Sequence, residues 1–169
     1  MSSNILDVCE TLFFGLTGEL KIDFIGKGNI WIKNTYNTDF ISLARHIINE
    51  AVRKTAPGQL SITGLDSDYS GIFAPFATLA SGANKQLIFL GDFKELEEHL
   101  DYLGQHIQAV QNVIQGRDES LTEFRKSINR PVEGYKLVVL FLNFSLVEAS
   151  FLAKLSTLLQ RGPAAGVSF

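Results

Sequence analysis

Cysteine is almost missing from this 169-residue chain, and so are methionine, tryptophan and proline: one, one, one and four residues respectively. A lone Cys9 cannot close an internal disulfide. That excludes a disulfide-stapled fold and makes a reducing cytoplasm the expected compartment. Long apolar runs are lacking too. The longest, Leu137–Leu142, has six residues, where a membrane helix needs about 20, so no membrane partner is expected. The opening Met1-Ser2-Ser3-Asn4 carries no basic cluster and Leu12-Phe13-Phe14 is brief, so no signal peptide is expected. Neither sign of charge dominates: 15 Lys and Arg face 18 Asp and Glu, a net charge of -3. Nonspecific nucleic-acid binding by the whole surface is excluded on that balance, although one local basic patch is not. Repeats and low-complexity segments are absent. What remains is a globular composition, 46% hydrophobic, 11% aromatic and 20% charged. It is enough for one domain, or a piece of one, with its own core.

Apolar spacing divides the chain into short elements. Ile5, Val8, Leu12 and Phe13 lie at helical intervals, and residues 1–18 read as an N-terminal helical segment. Residues 19–25 alternate as a half-buried strand, Gly26-Lys27-Gly28 turns, and Asn29–Lys33 is rich in strand formers. Phe40, Leu43, Ala44, Ile47, Ile48, Ala51 and Val52 mark a helix that Thr38 or Asp39 would cap and Pro57-Gly58 would end. Residues 59–64 and 86–90 read as strands, with a loop over 66–84 between them. Leu96, Leu100, Leu103, Ile107, Val110 and Ile114 form a heptad seam on a long helix. A shorter helix follows over 120–128. Residues 136–143 are the most apolar strand, suited to burial on both faces. A helix over 146–160 and the beginning of a strand at Val167-Ser168-Phe169 complete the pattern. That strand has only begun at Phe169, so the native domain, or its ancestor, is expected to have continued. Strands alternate with helices from residue 29 onward. Residues 19–169 are therefore expected to form a three-layer α/β sandwich with a mainly parallel sheet.

A strand, a six-to-eight-residue loop and a helix are the usual setting for phosphate binding, because backbone N–H groups at the helix start attract anions. A working loop reads G-x-x-x-x-G-K-[ST]. Here the loop reads Asn34-Thr35-Tyr36-Asn37-Thr38-Asp39-Phe40-Ile41. The order of elements around it resembles the motor domain of FtsK/SpoIIIE-type translocases, within the FtsK–HerA group of P-loop ATPases. The likeness spans about residues 20–169. Asn29–Val52 matches the family's Walker A strand, loop and helix. Thr55-Ala56-Pro57 leads into a second strand as the family's T-P motif does, and Leu65-Asp66 follows it. Leu137–Leu146 matches the Walker B strand, and Leu158–Val167 is similar to the family's l-a-x-x-G-R-A-A-G-I segment. The resemblance implies a P-loop NTPase (RecA/FtsK-like) topology, partly truncated, with the strands at 29–33 and 137–142 side by side. Carried over position by position, Asn34 stands at the first Walker A glycine and Asp39 at the last. Phe40 replaces the phosphate-binding lysine and Ile41 the magnesium-binding hydroxyl. Leu142 stands at the metal-binding aspartate and Asn143 at the catalytic glutamate. The charges that phosphoryl transfer needs are missing. The resemblance therefore implies a catalytically inactive domain without nucleotide or metal cofactor. Its partners would be other proteins or further copies of itself, with DNA reached through a larger complex. Two other readings stay open: a fragment of an active DNA translocase whose active residues come from elsewhere, and an unrelated α/β protein-binding module.

Other candidates each have a plain alternative. The loop at 34–41 is an ordinary βα turn or a retained anion site. The seam at 96–114 is core packing or a partner-binding helix. Arg117, Arg125, Lys126, Arg130 and Lys136 alternate with acidic residues, which favours a solvated surface over a DNA patch. His99 and His106 share a helix face without a third metal ligand, and His46 lies apart. Asp66, Ser67, Asp68 and Ser70 follow a strand end, where a turn is favoured over a site. Cys9 lacks a partner that would activate it.

Overall fold

The computed structural model describes residues 4–15, 20–33, 39–114 and 120–169. Two short antiparallel strands open the chain, β1 (Thr11–Phe14) and β2 (Leu20–Asp23), paired from Thr11↔Asp23 to Phe14↔Leu20. Helix α1 (Asp39–Arg53) follows, then β3 (Leu60–Asp66), a 3-10 helix (Ala74–Ala80) and β4 (Leu87–Phe89). Next come α2 (Phe93–Ile114), α3 (Leu121–Ile128), β5 (Tyr135–Phe141), a 3-10 turn (Phe144–Leu146), α4 (Ala149–Arg161) and β6 (Val167–Ser168). The strands β4-β3-β5-β6, in that spatial order, form a four-stranded sheet whose pairings are all parallel.

Three layers follow from the alternation of side chains along the central strands. Leu137 joins α1 residues Ala44, Ile47, Ile48 and Ala51 in one core, together with Cys9, Leu12 and Phe24 of the N-terminal segment. Val138, one residue on, points to the opposite core with the α2 seam and with Phe151, Leu155 and Leu158 of α4. A period of two thus buries β5 on both faces. Every residue of the 96–114 seam is at most 4% exposed. Burying one such leucine contributes roughly 1.5–3 kcal/mol. The seam is core packing and is not a free docking face.

Helix starts obey local chemistry. Ser120 Oγ accepts from the N–H of Glu123 at 3.3 Å and caps α3. Asn129 closes that helix in the left-handed conformation, φ 52°.

Two expectations are corrected. Residues 11–14 form β1 and not a helix. Four residues with two adjacent phenylalanines suit a strand, and pairing with β2 satisfies their backbone. This segment packs into the α1-side core and is no separate unit. Residues 29–33 are not a ladder strand, and they are not beside β5. The Ile30 N–H donates to the Phe169 carbonyl at 2.8 Å. β6 therefore lies between this segment and β5, because it takes the edge of β5 first through Lys136↔Val167 and Leu137↔Ser168.

Candidate functional site

The carboxyl end of β5 meets the start of α1. Phe40, the second residue of α1, stacks its ring on Phe141, with centroids 5.3 Å apart and planes 8° from parallel. Ile41 is partly buried against the α1-side core, and Leu142 against the opposite one. Asn143 Oδ1 accepts from the Ser145 N–H at 3.2 Å and from Ser145 Oγ at 2.6 Å, which caps the turn at 144–146. Asp39 opens α1. Asn34 and the rest of the loop through Thr38 lie outside the described residues.

Between residues 29–33 and the upper half of β5 lies a cleft of about 550 Å³. Its walls are mainly apolar, including Ile30, Ile32, Val139 and Leu140, and among the described residues Lys33 is the one cation in its lining. Asp68 faces the same space. The sequence resemblance implies a magnesium triphosphate here, and the described residues do not fit one. At the positions that the sequence resemblance assigns to the ammonium group, the magnesium hydroxyl and the metal carboxylate stand Phe40, stacked on Phe141, then Ile41 and Leu142, each packed into a core. Trp31 borders the cleft, 65% exposed, with its ring 4.8 Å from that of Phe144.

Asn29 holds this arrangement together. Its Nδ2 donates to the Leu159 carbonyl at 2.8 Å, and its Oδ1 accepts from the Phe169 N–H at 3.0 Å. One amide thereby ties the segment at 29–33 to α4 and to the end of β6. Sequence reading passed over it. The signal was faint: an amide side chain at the head of an otherwise apolar extended run.

The remaining candidates resolve into structural roles. Asp66 accepts from Ser70 N–H at 3.0 Å, Ser70 Oγ at 3.1 Å and Gly71 N–H at 2.9 Å, so both carboxylate oxygens are used in a turn. Arg125 is not part of a solvated face. It is 2% exposed and donates to the Glu133 carbonyl and to Gln59 Oε1, each at 2.6 Å, with its guanidinium 4.8 Å from the Tyr135 ring centre. Lys126 reaches Glu10 at 3.0 Å, and Lys136 lies over the Tyr102 ring at 5.6 Å. Arg117 lies outside the described residues. His99 and His106 flank Tyr102, and the Nε2 atom of each is buried without a hydrogen-bond partner among the described residues. Burial, and then the Lys136 charge, push both imidazoles below their ordinary pKa and favour the neutral form. Among the described residues no three His, Cys, Asp or Glu side chains are grouped to hold a metal ion. Cys9 is buried, and desolvation pushes its thiol up, away from the reactive thiolate.

No protein-family model and no curated protein sequence matches the chain. Among solved structures, it is similar to EssC (ATPases 2 and 3) from Geobacillus thermodenitrificans, with a TM-score of 0.69 and 16% identity. The match covers 88% of this chain and 28% of that one. The α/β fold with its parallel sheet is thus one shared with that ATPase structure. Among the described residues, no helix is long and apolar enough to cross a membrane.

Proposed function

We propose that this chain is a catalytically inactive ATPase-like domain that serves in assembly or docking within a larger DNA- or protein-translocating machine. The observation that carries the reading is the Phe40–Phe141 stack at the start of α1, within a fold shared with an ATPase. An ammonium group at that position would neutralise terminal phosphates; a phenyl ring cannot. Asp39, at the last Walker A glycine of the resemblance, adds a charge of the wrong sign. Two like charges about 4 Å apart repel by roughly 4 kcal/mol at an intermediate dielectric. Docking is supported by large side chains exposed around the carboxyl edge of the sheet: Trp31 at 65%, Leu146 at 82% and Tyr69 at 90%.

Calorimetry with Mg·ATP tests the reading. The expected outcome is no binding in the micromolar range, and a micromolar Kd would refute it. A salt titration of DNA binding examines the connection to DNA. Direct contact predicts log affinity falling linearly with log salt, whereas contact only through a larger complex predicts no binding by the isolated chain at low salt.

A further inference from the structure

Strand β2 has a bare edge. Its partner β1 covers one side only, from Thr11↔Asp23 to Phe14↔Leu20. Successive residues of an antiparallel strand turn their peptide groups to opposite neighbours. The Phe24 N–H donates to the Glu10 carbonyl at 3.0 Å, so Ile22, two residues before it, faces β1 as well. Lys21 and Asp23 therefore turn their N–H and C=O groups outward, and no described strand meets them there. Glycine at position 28 keeps a side chain off this edge, since a Cβ there would stand 3.1 Å from the Asp23 carbonyl oxygen. The Lys21 and Asp23 side chains share the face opposite Ile22. Both residues are exposed, whereas Ile22 packs against the α1-side core. Among the described residues neither charge has an ion-pair partner. The Lys21 ammonium rests over the Phe13 ring, 5.7 Å from its centre. An edge of unpaired backbone donors and acceptors is a template for another strand.

We propose that two copies of this chain pair through β2, antiparallel and edge to edge, with Lys21 of each opposite Asp23 of the other. A two-fold axis at Ile22 then joins the two ribbons into one sheet, ordered β1-β2-β2-β1. Charge selects both the occupant and the register. Outward-facing residues of an antiparallel pair meet as hydrogen-bonded pairs, each exchanging both N–H···O=C bonds. Of the symmetric registers that join such residues, Lys21 on Lys21 and Asp23 on Asp23 set like charges directly opposite, which destabilises a pair of strands. Lys21 on Asp23 matches opposite charges, and symmetry makes the match twice. Lysine on an edge ordinarily deters such pairing. Here the carboxylate two residues on supplies its mate in a second copy, and the ammonium then lies between its own Phe13 ring and the partner's carboxylate. The pairing does not rest on the function proposed above, because neither charged residue lines the cleft.

So small an interface gives a weak dimer, with a Kd of about 10 μM to 1 mM at low salt. Sedimentation equilibrium over that range should show monomer and dimer exchanging with concentration. Amide hydrogen exchange at Lys21 and Asp23 should slow as concentration rises, while the Ile22 amide, already bonded to β1, should change little. Lys21→Asp alone and Asp23→Lys alone should each weaken self-association about tenfold or more, because each sets like charges opposite at both symmetric positions. Mixing the two variants should restore a 1:1 dimer, since every carboxylate of one then faces an ammonium of the other. That rescue separates lost pairing from lost folding. A parent chain that stays monomeric to about 1 mM, single variants that associate as well as the parent, or a mixture that stays monomeric would each overturn the pairing.

Discussion

Replacing Arg125 separates a structural cation from a DNA-binding one. The side chain is 2% exposed, and among the described residues its partners are two neutral acceptors and a ring, with no carboxylate. Burial lowers its pKa, and nearby Tyr135 raises it in part. Each charge-assisted hydrogen bond contributes about 1.5–3 kcal/mol, and the ring contact about 1–2 kcal/mol. Desolvation of the guanidinium opposes them by several kcal/mol. The net gain over an apolar side chain of similar volume is therefore small, while truncation is costly. Arg125→Ala leaves a cavity and strands Gln59 Oε1 and the Glu133 carbonyl, for an expected loss of about 3–5 kcal/mol. Arg125→Met refills most of the volume but strands the same two acceptors, so it should lose about 2–3 kcal/mol, less than alanine by the cavity term. Arg125→Lys should fall between them, because a point charge cannot serve both acceptors as a fork does. Urea unfolding followed by circular dichroism reads these differences. With a slope of about 2 kcal/mol per molar, a 4 kcal/mol loss moves the midpoint by about 2 M. Arg125→Ala costing under about 1 kcal/mol, or as little as Arg125→Met, would refute the reasoning.

Truncating Leu103, which is fully buried in the α2 seam, to alanine should cost about 2–5 kcal/mol. Calorimetric melting should show Tm lowered by roughly 2–4 °C for each kcal/mol lost; an unchanged Tm would contradict burial of the seam. Stability should also fall as pH drops through about 6.5. His99 and His106 hold lowered pKa values in the folded chain, so the unfolded chain binds more protons below its own pKa and is favoured there. The charged groups acting on them are Lys136, for both, and Glu133, for His106. A His99→Gln, His106→Gln double variant should flatten the unfolding free energy between about pH 7 and 5.5; a slope as steep as that of the parent chain would assign the effect elsewhere.

Legibility in the sequence followed the range of the forces involved. Helices α1 and α2 and strand β5 were readable because one buried stripe, or one doubly buried run, repeats at the period of the element. Helix α3 was readable over 120–128, whereas the Ser120 cap that starts it was not. The segment at 4–15 was misread because four apolar residues fit a helical spacing as well as a strand, and the β2 partner that decides the matter is a tertiary contact. Arg125 was misread for a similar reason. Acidic residues around it in sequence suggest solvent, whereas Gln59, 66 positions away, supplies its acceptor in space. The departures at Phe40, Ile41 and Leu142 were visible as an ammonium, a hydroxyl and a carboxylate that the resemblance calls for and the sequence lacks, but the use made of Phe40, a stack on Phe141 from a different element, was not.

By itself, then, the order of residues determined the alternation of strands and helices, the two-sided burial of β5 and the absence of the phosphate-loop residues. These are properties of local period and side-chain identity. Only the tertiary structure decided that β6 would take the edge of β5 ahead of residues 29–33, that Asn29 would join that segment to α4, and that a cleft would remain between that segment and β5. Those outcomes depend on which backbone groups reach one another across more than a hundred residues, and no local pattern encodes that competition.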